Sequence, residues 1–425
     1  MRSYMATHNL IAVSANNRET AINTEQTLDT TMLCALSDNI NLEPRRESNA
    51  DEATGKEEPD TVYDMGAVSG MPMTFNRAQA QHFAFLCAFA LGSVTTVAAG
   101  SGYQHTITPI DGDLDDDRSL PSFTAAQRYG KTVLKRRFAS MFVDALTATF
   151  EKDSWCKLAA TITGTGKATG NIVEETVNAA KSATTLALAA NGVEGASAAE
   201  RLQNVQRIRV ALTAGVWTEV AFSAVSDATP AEITISAPGA TADLVGYKIL
   251  YIPTEDAWAT FPARVAETPL RVAQMTLKAG GSWNGTAFQG GRELQAEMRS
   301  LVWQFNNATD IAFVPGAGGA YASRGERGGR TQTLTLNREF REYILQQHID
   351  ANDTLGMYIL VEGAIFDDPH KYQVEIIFPK LAVLTSPISV DGKRLAEAGN
   401  LIVLEDDIYG SVIVRVKNLQ ATYAA

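Results

Sequence analysis

The chain has 425 residues, of which 45% are hydrophobic and 20% charged, with 36 basic and 48 acidic side chains giving a formal charge of −12. Such a length supports two or three domains, each with its own core. The negative balance repels nucleic acid on average and supplies no basic groove to hold it, but it leaves room for a channel that DNA merely traverses.

Residues 1 to about 30 are polar and weakly periodic, and read as an extended arm. Alternation at 40–43 predicts a strand with Ile40 and Leu42 on one face. Residues 44–68 carry Glu47, Asp51, Glu52, Lys56, Glu57, Glu58 and Asp60, a charge density that predicts a mobile excursion. A strand at 71–75 then leads to Asn76, an expected N-cap for a helix starting at Arg77. That helix places Phe83, Leu86, Cys87 and Ala90 at helical spacing and ends near Gly92. Further strands are predicted at 104–108 and 122–127, followed by a strand-rich run at 138–162.

Between about 170 and 265 the composition turns to Ala, Thr, Gly and Val. Short strands are predicted at 185–188, 207–212, 217–222, 231–235 and 247–251, at intervals suited to a small sandwich. A separate inserted β-domain is the preferred reading, with an elaborated extension of the sheet as the alternative. Beyond it come a strand at 301–305, a Gly-rich loop at 315–329 and a strand at 331–336. Asn337 is expected to cap a helix whose face holds Phe340, Ile344 and Leu345. Strands at 357–362, 372–378, 401–404 and 411–416 close the chain.

Two stretches are nearly alike: Met73-Thr74-Phe75-Asn76-Arg77 and Leu334-Thr335-Leu336-Asn337-Arg338. They are too far apart for a solenoid repeat. Each follows a strand and a long loop, and each precedes a helix, so the pattern predicts one β-rich module present twice. A duplicated ring-forming surface builds a ring from half the usual number of chains.

Little of the sequence suggests chemistry. Gly316, Gly318 and Gly319 lack the Lys-Ser/Thr pair of a phosphate loop and read as turn residues needing positive φ. Asp111, Asp113, Asp115, Asp116 and Asp117 are the best calcium candidates, but an EF-hand's closing Glu and spacing are absent. A solvated or lumen-facing acidic loop is preferred. The histidines (8, 82, 105, 348 and 370) are scattered, without HExxH or HxH. His105, beside Tyr103, reads as a polar interface residue. Trp303, Phe305, Tyr343 and Phe378 read as core. Lys131, Lys135, Arg136 and Arg137 form the clearest basic cluster and suggest a subunit contact. Cys34, Cys87 and Cys156 are widely spaced and read as buried thiols. The expectation is no catalytic, cofactor or metal site, and no enzyme. The longest apolar run, 83–91, is about half a bilayer span, and no apolar signal core follows the first residues. A soluble protein made in the cytoplasm, without membrane insertion, is expected.

The run Tyr103-Gln104-His105-Thr106-Ile107-Thr108-Pro109, the Pro121-Ser122-Phe123-Thr124 that follows the acidic loop, and the strand-rich stretch to Ile162-Thr163-Gly164 resemble tail tube proteins of long, non-contractile-tailed bacteriophages. In the second half, Thr333-Leu334-Thr335-Leu336-Asn337 and Ile377-Phe378-Pro379-Lys380-Leu381-Ala382-Val383-Leu384 carry the likeness. It covers roughly 25–165 and 265–425. The resemblance implies a mainly β chain: an arm at 1–30, a first tube module at 31–169, an inserted β-domain at 170–264 for which an immunoglobulin-like fold is one candidate, and a second tube module at 265–425.

The family further implies β-sandwich modules, each with a short helix, whose inner sheets join into a barrel around a DNA-sized channel. Rings stack, with each module's long loop reaching into the next ring. The residues for that contact would be Glu47, Asp51, Glu57 and Asp60 in one loop and Tyr321 and Arg324 in the other. Single-module relatives form hexamers, so a doubled chain favours a trimer of pseudo-sixfold symmetry over a hexamer. Expected partners are further copies of the chain and the tape-measure, tail-tip and tail-terminator proteins. DNA would pass without specific binding along an acidic lining, and the expected location is the virion tail. Alternatives from other classes are a capsid or baseplate component and a β-rich adhesin or carbohydrate-binding protein.

Overall fold

A computed structural model describes residues 5–110, 118–130, 134–213, 215–254 and 257–425. The protein is mainly β, with several sheets and a few short helices. The chain divides into two units. The smaller comprises Met1–Leu10, Ala126–Arg137 and Thr169–Phe261; the larger comprises Ile11–Ala125, Phe138–Ala168 and Pro262–Ala425.

Eight strands organise the sheet of interest, all within the larger unit except residues 135–137 at the start of one of them. They are β1 (Asn41–Ser48), β2 (Val62–Phe75), β3 (Lys135–Glu151), β4 (Lys157–Gly164), β5 (Met298–Asn306), β6 (Thr331–Glu339), β7 (His370–Thr385) and β8 (Arg394–Val403). Antiparallel pairing gives the order β1-β2-β4-β3-β5-β6-β8-β7. Strand β7 also serves a second run of strands: its residues 373–377 pair with Ile413–Asn418, while 381–385 pair with β8. Ile413–Asn418 in turn pairs with Gly102–Pro109, and that strand with Gly92–Ala99. Strict alternation buries one face of the first run, including Met71, Met73 and Phe75 on β2 and Leu334 and Leu336 on β6.

Helix α1 (Ala80–Leu91) is buried at every position, as its sequence AQHFAFLCAFAL, apolar nearly all round, requires. It ends at Gly92, whose φ of 93° is the left-handed conformation that glycine accepts without Cβ strain. It does not begin at Arg77 behind an Asn76 cap. The N–H of Ala78 donates to the Cys156 carbonyl and its own carbonyl accepts from Leu270 N, so tertiary bonds occupy the backbone there and Gln79 becomes the N-cap. The second expected cap fails for a similar reason. Asn337 lies within β6, paired with Ser300 and Ala398, and the helix, Ile344–Ala351, starts after Tyr343. Phe340 is therefore outside the helix, and Tyr343 is 56% exposed rather than core.

Two expectations of looseness are also corrected. Of residues 44–68, 44–48 and 62–68 lie on the strands of the β1–β2 hairpin, and 49–61 form its tip. Within the 1–30 arm, Leu10–Val13 pairs with Thr30–Met32. The buried Glu19 carboxylate accepts hydrogen bonds from Ser122 Oγ (3.0 Å), Thr124 Oγ1 (2.7 Å) and Ser140 N (2.9 Å). Those bonds tie the segment into the larger unit.

The smaller unit has a four-stranded sheet, ordered Val173–Ala180, Leu244–Tyr251, Val205–Thr213 and Val216–Glu219, and a three-stranded sheet, ordered Thr185–Ala187, Glu232–Ile235 and Phe222–Val225. One apolar cluster, with Leu186, Val210, Ile233, Tyr247 and Ile249, draws on both. The strand expected at 217–222 is split, because the chain passes from one sheet to the other between Glu219 and Phe222. Helix α2 (Ala198–Asn204) is closed by a reciprocal cap in which Glu200 N donates to Ser197 Oγ (3.3 Å) and Ser197 N to Glu200 Oε2 (3.2 Å).

Candidate functional site

Opposite its buried face, the eight-strand sheet of the larger unit presents side chains in cross-strand rows. One row runs Thr74, Ala159, Thr147, Gln304, Thr333 and Ile402 across β2, β4, β3, β5, β6 and β8. The next runs Pro72, Thr161, Ala145, Asn306 and Thr331. A third includes Thr149, Val302, Thr335 and Asn400. Apart from Lys157, which stands opposite Thr149 on β4 at the end of the third row, none of these side chains is ionisable. Some bond to one another: Asn337 Nδ2 donates to Ser300 Oγ at 3.0 Å, and Thr333 Oγ1 to Gln304 Oε1 at 3.4 Å.

Charge is gathered at one end of these strands, and there it is paired. Lys157 meets Glu151 at 2.5 Å, Arg394 and Arg341 meet Glu339 at 2.7 and 3.2 Å, and Arg299 meets Asp391. Beneath this rim the fully buried Arg338 donates to Glu397 (Nε, 2.7 Å), Glu297 (Nη1, 2.9 Å) and the Glu342 carbonyl (2.7 Å). Ser386 Oγ donates to the other Glu397 oxygen at 2.7 Å, completing a network in which the buried charges have partners.

At the opposite end two hairpin arms emerge. The first is β1 with the start of β2; every residue of β1 except Leu42 is exposed, as are residues 62–65. Asn49 closes its tip, accepting from Asp60 N and Thr61 N at 3.1 and 3.2 Å. The second arm continues from β5 through the pair Thr309–Ala312 and Arg324–Arg327 before returning into β6. Asn307 roots it: the buried side chain donates to the carbonyls of Ala90 (2.9 Å) and Val143 (3.0 Å). The arms touch. Ala67 N donates to Ala320 O (3.1 Å), Ala67 bridges to Tyr321, and the Arg45 guanidinium lies 4.9 Å from the Phe313 ring centroid. Gly66, at φ 91°, lies so close to Gly319 O that a side chain there would collide with it.

The sequence-predicted contact residues fall on these arms. Glu47 is on β1 opposite Tyr63; Asp51, Glu57 and Asp60 are at the exposed tip, with Asp60 ion-paired to Lys56. Tyr321 is half-buried at the junction of the arms, and the exposed Arg324 pairs with Glu326. Gly316, Gly318 and Gly319 have φ of 85°, 93° and 72°, as turn residues do. Asp111, Asp113, Asp115, Asp116 and Asp117 lie outside the described residues, as does Lys131. Reading the sequence missed Arg45, Gly66 and Asn307; only an isolated glycine interrupting a strand pattern hinted at close backbone approach.

Other candidates prove internal. His105 is buried, with Thr96 Oγ1 at 2.9 Å, the Gln420 carbonyl at 3.0 Å and the Tyr423 ring edge-on, so it is not an interface residue. Burial holds His82 neutral, lowering its pKa to about 3 against the stacked Phe75 ring. In the smaller unit, two members of the basic cluster make internal contacts: the buried Lys135 donates to the Ala259 carbonyl and Arg137 lies 4.8 Å from the Trp258 ring centroid. Trp303, Phe305 and Phe378 are core, as expected. Cys87 and Cys156 are buried free thiols, pushed up to about 12 by desolvation, whereas Cys34 is partly accessible. Among the described residues no group of three or more His, Cys, Asp or Glu is placed to hold a metal, and no helix is long and apolar enough to cross a membrane. No protein-family model matches the chain, and no curated protein matches it in sequence.

Proposed function

We propose that the chain is a virion structural protein that polymerises as stacked rings into a phage tail tube, the conduit for genome delivery. The observation that carries this reading is the strand order. The run β1-β2-β4-β3 is followed, in the same sheet, by β5-β6-β8-β7. In each run the second strand leads to a helix, and the strand paired to its far side arrives last or next to last. The burial phase agrees too, with Met71, Met73 and Phe75 in one copy answering Gln332, Leu334 and Leu336 in the other.

The β3–β5 pairing joins the two runs edge to edge, with Leu301 opposite Phe150 and Asn306 opposite Ala145. It is the kind of joint that a ring of separate modules would make between subunits. The outer strands lack that satisfaction among the described residues: β1 pairs only with β2, and β7 beyond Leu381 pairs only with β8. Unpaired edges invite further strands, and a head-to-tail contact of this type closes into a ring. Three doubled chains would supply six modules. The paired arms, the first of them exposed on both faces and bearing Val62 (63% exposed) and Tyr63 (46%), suit a contact with the next ring. Tape-measure, tail-tip and tail-terminator proteins are the partners this role requires.

Electron microscopy of the purified protein, with native mass measured in parallel and a tail-tip initiator added where the protein stays monomeric, tests the reading. Hollow rings or tubes with three chains per ring are expected. Six chains per ring would retain the function and remove the doubling, whereas closed shells would favour a capsid role.

A further inference from the structure

We propose that residues 262–272 form a strap over the start of α1 that opens as pH rises above neutrality, with Glu267 as its latch. The strap and the residues that hold it lie within the larger unit.

Between Pro262 and Arg271 the chain forms no helix or strand, only isolated bridges of Arg264 with Thr31 and Arg271 with Trp155. Side chains from beneath hold its middle. Gln79 Nε2 donates to the Glu267 carbonyl at 2.7 Å, Gln81 Nε2 to the Val265 carbonyl at 3.4 Å and Thr31 Oγ1 to the Pro262 carbonyl at 2.6 Å. Gln79 and Gln81 are each 3% exposed, so the strap satisfies amides that water hardly reaches. Further along, Leu270 N donates to Ala78 O at 2.9 Å and Leu270 O accepts from Cys156 N at 3.0 Å. A segment held this way, without a ladder of its own, opens locally before the sheets around it do.

Glu267 is the strap's one buried ionisable side chain, and its carboxyl accepts from Gln81 N in the first turn of α1 at 3.0 Å. Two effects compete over its charge. Burial favours the neutral acid and is the stronger, whereas the Gln81 N–H and the positive end of the helix favour the carboxylate; the balance places the pKa at about 7. Among the described residues no cation pairs with Glu267. Its neighbours include the phenols of Tyr372 on β7 and Tyr423, whose own pKa values are raised by burial and further by Glu267. Asp29, which also acts on Tyr423, adds a second acidic group, while burial keeps His82 on α1 neutral and the Cys156 thiol protonated. On the strap itself Arg264 and Arg271 are exposed, and Arg271 lies 4.7 Å from the Trp155 ring centroid.

Below neutral pH the acid is uncharged and the strap stays seated. Above it the carboxylate must be hydrated, and lifting the strap admits water for the loss of a few hydrogen bonds. Opening bares the first turn of α1 and the backbone at Thr31.

Amide hydrogen exchange of the full chain, divided at each pH by the rate of an unstructured chain, tests the latch. For a group titrating at about 7 when closed and at its ordinary 4.5 when open, opening should rise about tenfold between about pH 6 and about pH 8. The rise should appear at the amides of Gln81 and Leu270 and be absent from Phe85 to Phe89 in the middle of α1. Glu267→Gln should abolish it while keeping an acceptor for Gln81 N, and Glu267→Met is the uncharged alternative should the first variant not fold. At the higher pH, trypsin should also cut after Arg264 faster in the wild type than in either variant. A parallel rise in the uncharged variant would overturn the proposal, as would a flat wild type. So would a rise shared by the middle of α1, because the whole helix and not a strap would then be opening.

Discussion

The two helices that follow β2 and β6 are anchored in opposite ways. Helix α1 has twelve residues, all buried, and its aromatic side chains pack on strand partners, with Phe85 and Phe89 each about 5 Å from the Phe123 ring. Its counterpart, α3 (Ile344–Ala351), has eight residues and buries only Leu345. What α3 lacks in apolar burial is replaced at its approach by Arg338, Glu297 and Glu397. Similar strand orders thus accept a helix either as core filling or as a surface element. The two runs are alike in the order of their strands and unlike in how their helices pack.

The largest effect is expected where the second anchor is broken. Arg338→Leu leaves two buried carboxylates without their cation and should cost about 3–5 kcal/mol. Urea unfolding followed by tryptophan fluorescence measures it, and a loss below about 1 kcal/mol would mean that the network is not an anchor at all.

The first anchor carries its own ionisable group. Glu267, 7% exposed, accepts from Gln81 N at 3.0 Å at the start of α1, and burial pushes its pKa up from 4.5 to about 7. The folded value exceeds the unfolded one, so its contribution is fully present below about pH 4.5 and is lost as pH rises through about 7. The shift corresponds to at most about 3 kcal/mol. Glu267→Gln keeps an acceptor for Gln81 N and removes the charge. It should therefore flatten the wild type's decline between pH 5 and 8 and be the more stable protein at pH 8. Equal slopes for the two proteins would show that this carboxyl is solvated on folding.

A smaller and local effect separates the arms from the sheet that bears them. Gly66→Ala places a Cβ at φ 91° against Gly319 O, and should loosen the junction by about 1–3 kcal/mol. Amide hydrogen exchange should quicken at Ala67 and along residues 320–327, while α1 remains protected. Quickened exchange at the helix as well would mean that the arms and the core respond as one unit.

These contrasts also show what the sequence could reveal. Strand alternation was legible in β2, β5 and β6 because their buried faces repeat every second residue, and Gly92 announced the end of α1. The helix starts were not legible: Asn76 and Asn337 have the right chemistry for caps, but tertiary bonds to Ala78 and the continuation of β6 preempt them. Charge density at 44–68 likewise suggested mobility, although β1–β2 pairing needs no apolar side chains, only backbone groups. The polar rows of the opposite face left no local signature, since their members are distant in sequence and meet only through cross-strand register. Periodicity identifies a buried face well, but the opposite face takes its character from the assembled sheet.

The smallest prediction turns that lesson into a measurement on caps. Ser197 has both parts of a reciprocal cap, its Oγ accepting from Glu200 N and Glu200 returning the bond to Ser197 N. Ser197→Ala should therefore cost about 1 kcal/mol in α2. Asn76, the residue that the sequence offers as a cap, is exposed in a turn four positions before α1 begins. Asn76→Ala should change stability by no more than about 0.5 kcal/mol. Thermal unfolding of the full chain bearing each change distinguishes them. If the order were reversed, Asn76 would be capping α1 after all, and the tertiary bonds to Ala78 would not be what sets where that helix starts.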